Sequence, residues 1–348
     1  MIPSASLSVA RSLLALYAVP GVGETTAARQ IAQYGDAATA MRHYPAATQE
    51  SAFASADHAL HSAQQLGARV LVSGDADYPV RLNELPEPPA VLFARGVAAA
   101  AEPPAVAIVG TRAASHYGLR VARVLAAACA RAGATVVSGL ASGIDGAAHE
   151  ATLAVGGRTV GVLGTGVDVA FPRRHRALQE QIAREGLLLS ELAPGSSGHR
   201  GTFPRRNRII AALADVTVVV EAGAQSGALI TANHALDLGR TIACVPNAID
   251  LPSAVGSNAL LKRGAEPILS ADDVLALLNL RASAVTAPVL DGDAATCWDA
   301  LQSGAKDVSD IARRSGLTMR IVSAAVGTLE VEGLIGIDAD GRIRSLVR

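Results

Sequence analysis

The run AVAIVGTR, residues 105–112, indicates the fold of this 348-residue chain, because five consecutive apolar residues end abruptly at glycine, threonine and arginine. Longer stretches with helical periodicity separate it from seven similar runs: RVLVSG (69–74), AVLFARG (90–96), ATVVSG (134–139), TVGVLGTG (159–166), LLLSE (187–191), VTVVVEAG (216–223) and TIACVP (241–246). Near-continuous valine and isoleucine runs that alternate with helices are typical of a parallel sheet covered on both faces. The sequence therefore predicts an α/β fold with a Rossmann-like, doubly wound parallel sheet over residues 66–280.

The segments on either side of this sheet predict two further domains. Residues 1–65 have the pattern of short amphipathic helices, as in a helix-hairpin-helix or SAM-like domain. Residues 297–348 have helical patterns followed by a hairpin turn at Asp340–Gly341, which together predict a winged helix after a linker at 281–296. The Pro20–Gly23 turn fits either a phosphate-binding hairpin or an ordinary helix-helix turn, and the sequence leaves both readings open.

Charge is distributed unevenly along the chain. The net charge is -1, yet residues 171–208 contain eight arginines and only three acidic residues, which indicates a local surface for a polyanion. Lys262 and Lys306 are the only lysines, so part of this arginine content is a habit of the whole sequence.

Other classes of protein and site find little support in the sequence. No apolar run reaches the ~20 residues that span a bilayer, and the N-terminus lacks the pattern of a signal peptide, so we expect a cytoplasmic protein without membrane contact. The three cysteines lie far apart, as expected for a reducing compartment. Neither CxxC nor HExxH occurs, so no metal site is expected.

The glycine-rich turns do not match the common cofactor or catalytic motifs. Gly110 is followed by Thr-Arg, and Gly164-Thr-Gly166 lacks the third glycine of a dinucleotide fingerprint. No glycine precedes a lysine as in a P-loop, so we expect no cofactor. Asp145 and His149 lie one helical turn apart but lack a nucleophile elbow nearby. We therefore expect Asp145 to cap its helix and His149 to bond buried polar groups.

The turns after the predicted strands form a candidate groove. They are GTRAASHYG (110–118), SGLASGIDGAAH (138–149), GTGVDVAFPRRH (164–175), SELAPGSSGHRGTFPRRNR (190–208) and EAGAQSGALITA (221–232). Such turns offer backbone N–H groups and helix N-termini to anions. The motif FPRR occurs twice and places Phe171 and Phe203 beside arginine pairs, an arrangement that holds unpaired bases and phosphates, although either ring could instead anchor its turn in the core. Of the arginines in 203–208, we expect Arg206 to be the exposed one.

The same turns resemble the successive signatures of the DNA processing protein A family, DprA or Smf, over residues 106–270 in order. The resemblance implies a non-catalytic protein that binds single-stranded DNA, protects incoming strands in natural transformation and helps to load RecA recombinase. We expect the DNA-binding residues to be Gly110, Arg112, Ser115, Ser138, Gly139, Gly166, Phe171, Arg173, Arg174, Phe203, Arg205, Asn207 and Arg208. It also implies a homodimer, with Leu260, Leu261 and Ile268 near the contact surface. The chain departs from the family pattern at Pro246-Asn247 and at GSN (256–258), both away from the basic turns.

Two other functions remain open at this stage. EAGAQSGALITA is placed like the glycine-rich turn of nucleoside-monophosphate phosphoribohydrolases, although no acidic residue follows Gly227 before Asp237. The winged helix would suit a transcription regulator, but residues 318–332 contain Arg320 as the sole base against Glu330 and Glu332, which speaks against duplex reading.

Overall fold

The structure, a computed structural model, describes residues 4–282, 290–331, 334–338 and 340–345. Contacts divide the chain into two compact units, Met1–Arg281 and Ala282–Arg348. The division falls at the beginning of the predicted linker, of which residues 283–289 lie outside the described ranges.

The first unit begins with four helices, α1 (Ser4–Ala18), α2 (Glu24–Tyr34), α3 (Ala37–Met41) and α4 (Ala46–Gln65). Gly21 in the turn before α2 has a φ of 81°, a conformation that favours glycine, and Gly23 is the N-cap residue. The helices bury Leu16 and Met41 in a core that also contains Phe93 of the sheet. This helical region therefore packs on the sheet and belongs to the same compact unit.

The sheet contains the eight strands that the apolar runs predict and one short additional strand. Its strands are β1 (Arg69–Val72), β2 (Val91–Gly96), β3 (Ala105–Val109), β4 (Thr135–Ser138), β5 (Thr159–Val162), β6 (Leu187–Ser190), β7 (Val216–Val219), β8 (Thr241–Cys244) and β9 (Glu266–Pro267). In the described part of the unit they form one sheet in the order β1-β2-β6-β5-β4-β3-β7-β8-β9.

The sheet differs from a wholly parallel one at β1 and β2. The seven strands in the order β6-β5-β4-β3-β7-β8-β9 pair in parallel with their neighbours. Strand β2 pairs antiparallel with β6, and β1 pairs antiparallel with β2. The connections that leave β1 and β2 contain only short 3₁₀ helices, Val80–Glu84 and Ala98–Ala101. A parallel pair needs a longer crossover, usually an α-helix, so β1 and β2, which the first of these connections joins, pair in the antiparallel sense.

Seven α-helices follow strands of the parallel region and cover the sheet. They are α5 (His116–Arg131), α6 (Ile144–Ala154), α7 (Arg176–Glu185), α8 (Thr202–Leu213), α9 (Gly227–Asp237), α10 (Val255–Lys262) and α11 (Ala271–Leu277). Along β3, Ala107 and Val109 face one core with Ile209 of α8, whereas Val106 and Ile108 face another with Leu125 of α5. Both faces of the strand are thus buried, and the predicted doubly wound fold is confirmed.

The second unit is a winged helix, as predicted. It consists of α12 (Gly292–Gln302), α13 (Val308–Ser315) and α14 (Met319–Val331), followed by the antiparallel strands β10 (Ile335–Ile337) and β11 (Ile343–Ser345). Trp298, Ile311 and Leu329 join the three helices in one core. Helix α12 begins at Gly292, inside the segment predicted as linker. Glu332 lies outside the described residues.

No helix in the described ranges combines the length and the apolar composition that crossing a membrane requires.

Candidate nucleic-acid interface

A cleft of about 810 Å³ lies at the carboxyl edge of the parallel strands. Its walls come from turns that follow β3, β4, β5, β6 and β7, with one contribution from the loop after β8. Five turns meet here because parallel strands end at the same edge of a sheet, as the sequence predicts for a ligand site on this fold. The predicted site residues that line the cleft are Gly110, Arg112, Phe171, Phe203 and Asn207.

The floor of the cleft is closely packed backbone. A Cβ on Gly110 would lie 2.5 Å from the Ile144 side chain, so this turn can pack against α6 only because the residue is glycine. Helix α9 begins beside the cleft, and the Ser226 hydroxyl accepts the Ala228 N–H at 3.3 Å. Backbone N–H groups at a helix N-terminus favour an anion, so this end of the cleft can receive a phosphate.

An aromatic pair forms one wall of the cleft. The Phe171 and Phe203 ring centroids are 4.8 Å apart with an interplanar angle of 39°, and the Phe171 side chain is 47% exposed. The guanidinium carbon of Arg112 lies 5.5 Å from the Phe203 ring centroid. Arg112 is exposed, so one guanidinium group and one open aromatic face are offered together to a ligand.

Arg206 does not have the exposed position that we expected. Its side chain is buried beneath the cleft, where one guanidinium nitrogen donates to the carbonyl oxygens of Gly139 (2.7 Å) and Val162. Burial lowers the pKa of Arg206 to about 10, an effect that the nearby Asp145 carboxylate opposes. The expectation is therefore wrong, because the helical turn that exposes Arg205 directs the next side chain into the sheet.

Arg205 and Arg208 lie outside the cleft lining and form an ion-pair cluster. Both contact Glu191, and both also contact Glu24 at the beginning of α2. The Arg208–Glu191 contact, at 2.6 Å, is shorter than the Arg205–Glu191 contact, at 3.2 Å. The side chains of Arg208 and Glu191 are both about nine-tenths buried. In this arrangement Arg208 joins the helical region to the sheet, and the two carboxylates balance the charges of Arg205 and Arg208.

The Glu24 contact bears on the Pro20–Gly23 turn. Glu24 is the first residue of α2, at the position where a phosphate would meet the helix N-terminus. Its carboxylate points instead to Arg205 and Arg208. This geometry favours the reading of an ordinary helix-helix turn that anchors the helical region on the sheet.

Arg173 and Arg174 are exposed in a 3₁₀ turn, Arg173–His175, that directly follows Phe171 and Pro172. They do not line the cleft itself, but they lie on the same strand-to-helix connection as the exposed Phe171 ring. A chain of phosphates that leaves the cleft over Phe171 would meet these two guanidinium groups.

Four of the predicted site residues support the turns from behind. The Ser115 hydroxyl caps α5 by accepting the Gly118 N–H at 3.0 Å, and it donates to the buried Glu221 carboxylate. The Ser138 side chain is fully buried and donates to the Ile108 carbonyl oxygen at 2.7 Å. The Gly166 N–H donates to the Ser196 carbonyl oxygen at 2.9 Å, and Gly139 contacts Arg206. Their side chains or Cβ positions therefore face the protein.

Asp145 and His149 have structural positions. The Asp145 carboxylate accepts the N–H groups of Gly139 (3.1 Å) and Ala141 (3.4 Å), so it holds the loop before α6 instead of capping its own helix. Burial raises the pKa of Asp145. His149 is fully buried against the Thr159 hydroxyl, 2.7 Å from Nδ1, and burial lowers the pKa of its imidazole to about 3.

Sequence reasoning missed several residues that line the cleft. Arg200 and His199 are exposed on the turn after β6, and Gln225 and Ser226 lie on the turn after β7. Arg200 was visible as part of the local charge excess, but neither its spacing nor an adjacent motif distinguished it from Arg176 or Arg184. Polar turn residues such as Gln225 carry no periodic signal.

The residues expected near a dimer contact are largely internal. Leu260 and Ile268 are buried in the two cores of the sheet, and Leu261 packs against one of them, so the first two cannot form a surface. The neighbouring Leu269 is 79% exposed, and Ile249 on the loop after β8 is 94% exposed. The alternation of side chains after β9 turns Ile268 inward and leaves Leu269 in solvent.

Comparisons with known proteins show the family of this chain. The family described as DNA recombination-mediator protein A matches residues 69–279, and the DprA winged helix domain matches residues 281–341. A putative DNA processing protein DprA from Mycobacterium tuberculosis is 40% identical over 302 residues, which cover 80% of this chain and 77% of that protein. Protein Smf from Synechocystis is 47% identical over 224 residues, 63% of this chain and 56% of that longer protein.

Two solved structures share the fold at 30% identity or more. DNA processing protein A from Streptococcus pneumoniae has a TM-score of 0.67 and 31% identity, with 79% of this chain and 98% of that chain covered. The Helicobacter pylori protein, whose structure is described as showing a single-stranded DNA binding mode, has a TM-score of 0.55 and 30% identity, with coverage of 61% and 95%. The chain therefore belongs to the DNA recombination-mediator protein A (DprA) family.

Proposed function

We propose that this protein binds single-stranded DNA in the cleft at the carboxyl edge of its sheet and acts as a recombination mediator. The observation that carries the proposal is the exposed Arg112 guanidinium beside the Phe171–Phe203 pair, above a floor of glycine turns. An arginine binds phosphate, an open ring stacks on a base, and backbone N–H groups bind further phosphate oxygens.

This combination suits a single strand better than a duplex. Bases in a duplex are paired and stacked inside the helix, so their faces cannot reach the Phe171 and Phe203 rings. Stacking of one base on an aromatic side chain is worth about 1–3 kcal/mol and depends little on the base. We therefore expect binding with weak sequence preference, which supports a role in handling arbitrary incoming DNA.

The relatives support the same proposal. The matched family is described by its role in recombination, and the Helicobacter pylori relative is described by its binding of single-stranded DNA. By the family resemblance, we propose that this protein acts in natural transformation and helps to load RecA recombinase on the bound strand. RecA filament formation on oligonucleotides coated with single-strand-binding protein should then become faster when this protein is added. An unchanged rate would contradict the proposal of RecA loading but not the proposal of DNA binding.

Binding without catalysis fits the acidic groups of the cleft region better than nucleotide hydrolysis does. Asp145 is held by two backbone N–H groups, and the buried Glu221 accepts from Ser115 and Ser253. Both carboxylates are thus already hydrogen-bonded within the protein. The alternative, a phosphoribohydrolase, predicts base release from AMP at high protein concentration, and detection of free adenine would favour it.

The decisive experiment measures fluorescence anisotropy of a labelled oligothymidine and of a duplex of equal length at several salt concentrations. We expect preference for the single strand, with affinity that falls steeply as salt rises. The variant Phe203→Leu should weaken binding by about 5-fold or more through lost stacking. Phe53→Leu is the matched control, because Phe53 also lies under an arginine, Arg11, but in the helical region away from the cleft. Equal affinity for duplex, or no effect of Phe203→Leu, would count against the proposal.

A further inference from the structure

Arg206 is a buried charged group that contact with DNA does not explain. Only 6% of the residue is exposed, and in the described part of the chain it forms no ion pair with a carboxylate. Nevertheless it lines the cleft from below, together with Asp145 and Asn207. A buried guanidinium is costly unless its donors are used, so its bonding partners indicate its role.

Arg206 joins three elements under the cleft. It belongs to α8, and its guanidinium donates to the carbonyl oxygens of Gly139, directly after β4, and Val162, the last residue of β5. A Cβ on Gly139 would lie 2.2 Å from one guanidinium nitrogen, so the side chain fills the space that glycine leaves. The positions of two strand ends and of the N-terminal part of α8 are thereby linked through one side chain.

The same guanidinium orients the amide of Asn207, which lines the cleft. Arg206 Nε donates to Asn207 Oδ1 at 3.0 Å, and Asn207 Nδ2 donates to the Gly227 carbonyl oxygen at 3.1 Å. A guanidinium can only donate and a carbonyl oxygen can only accept, so the opposite orientation of the amide would lose both bonds. The Gly227 carbonyl oxygen accepts one of the two Nδ2 hydrogens. The other can be donated to a ligand acceptor, such as a phosphate or base carbonyl oxygen.

We propose that Arg206 is a positioning residue for DNA binding, which acts by fixing Asn207 as a hydrogen-bond donor and by holding the turns of the cleft floor. The inference rests on the proposed function of the cleft. Arg206 itself touches no DNA in this role. Its positive charge, placed behind the floor without a direct ion pair, also favours an anionic ligand in the cleft.

A double-mutant cycle on oligothymidine affinity tests this role. Arg206→Lys keeps the charge but loses the planar set of donors, so we expect affinity to fall about tenfold. In an Asn207→Leu background the same change should cost much less, because the amide that Arg206 orients is already absent. A purely structural role predicts equal costs in both backgrounds. Arg206→Lys should also leave the salt dependence of binding unchanged, since no phosphate contact is removed.

A second variant covers the case in which Arg206→Lys does not fold. The backbone φ of Gly139 lies outside the left-handed region, so an alanine fits there without backbone strain. Gly139→Ala therefore adds a Cβ directly against the Arg206 guanidinium. It displaces Arg206 while all cleft side chains remain, and we expect weaker oligothymidine binding measured well below its melting temperature. Parent-like affinity of a folded Gly139→Ala or Arg206→Lys variant, or equal costs in the cycle, would overturn the inference. Failure of the parent protein to bind oligothymidine would instead overturn the proposed function.

Discussion

Residues of one type have different functions here, because their positions on the fold differ. Arg112 is exposed on a turn with its guanidinium over an aromatic ring, whereas Arg206 is buried and bonded to carbonyl oxygens. Charge counting along the sequence treats the two alike. The first is exposed to a phosphate, whereas Nε and one terminal nitrogen of the second are bonded within the protein, so substitutions at the two positions should alter binding in different ways.

Arg112→Ala should weaken oligothymidine binding and reduce the slope of log affinity against log salt by roughly 0.7 for one lost phosphate contact on a single strand. Arg263→Ala is the matched control, since Arg263 is exposed at the end of α10 and does not line the cleft. The measurement is anisotropy at several salt concentrations. An unchanged slope for Arg112→Ala would mean that Arg112 contacts no phosphate.

The buried His149 should make stability depend on pH. Burial lowers the pKa of its imidazole to about 3, while the unfolded chain titrates near 6.5. Between these values the unfolded state binds more protons, so this contribution is fully present above about pH 6.5 and is lost as pH falls towards 3. His149→Gln should therefore show a shallower loss of unfolding free energy below pH 6.5, measured by urea denaturation.

The control for this pH experiment is His58→Gln, at an exposed position on α4. Its stability profile should match that of the parent protein. A parent-like slope for His149→Gln would show that the imidazole is not held neutral in the folded state.

At the scale of single elements, the first turns of α8 connect most of the candidate site. Phe203 and Asn207 lie four residues apart and face the cleft, whereas Arg205 and Arg208 lie three apart and face Glu24 and Glu191. Arg206 points between these two faces into the sheet. This division follows from the helical repeat of 3.6 residues. One short motif thus supplies the cleft wall, its buried support and the anchor of the helical region.

Arg208→Met should destabilise the protein by about 3 kcal/mol, because it leaves the buried Glu191 without its closest partner. Burial already raises the pKa of Glu191, and the substitution should raise it further. A raised carboxyl pKa means that the folded state holds the proton more tightly, so the destabilisation should be smaller at about pH 5 than at about pH 8. Thermal melts at both pH values measure the effect.

Arg205→Met is the comparison for this substitution. Arg205 faces the same two carboxylates, but its side chain is 42% exposed. We therefore expect Arg205→Met to lower the free energy of unfolding by less than about 1 kcal/mol. Equal melting temperatures for the Arg208→Met variant and the parent would exclude an anchoring role for Arg208.

At the scale of the whole molecule, the described contacts form two compact units, and every residue that lines the cleft belongs to the first. We propose that two copies of the chain associate, as the family resemblance implies. The exposed apolar residues that suit such a contact are Leu269 and Ile249, which follow the adjacent strands β9 and β8. Buried Leu260 and Ile268 could affect association only indirectly, through folding.

Leu269→Glu should therefore shift the protein from dimer to monomer in light scattering after gel filtration, because a charge would be buried in an apolar contact. Leu236→Glu is the control, since Leu236 is 65% exposed on α9. A Leu269→Glu variant with the parent mass would place the contact elsewhere, and a monomeric parent would remove the dimer proposal.

The sequence alone was sufficient for eight strands of the main sheet, the doubly wound order of helices and the location of the cleft, but not for the short β9. Valine and isoleucine runs that end in glycine turns are local signals, and parallel strands bring those turns to one edge. It also singled out Arg112, which stands directly in such a turn, and Phe171 and Phe203, which belong to the repeated FPRR motif. The antiparallel β1 and β2 were not predicted, since an apolar run does not state its direction.

Tertiary structure alone decided which arginines face the cleft. The direction of Arg205, Arg206 and Arg208 depends on the rotation of α8 against the sheet and on Glu24, which lies about 180 residues earlier in the chain. Burial of Ile268 and exposure of Leu269 likewise depend on packing against the core. Residue type fixes which chemical groups are present, whereas long-range packing decides which of them are already bonded within the protein and which remain for a ligand.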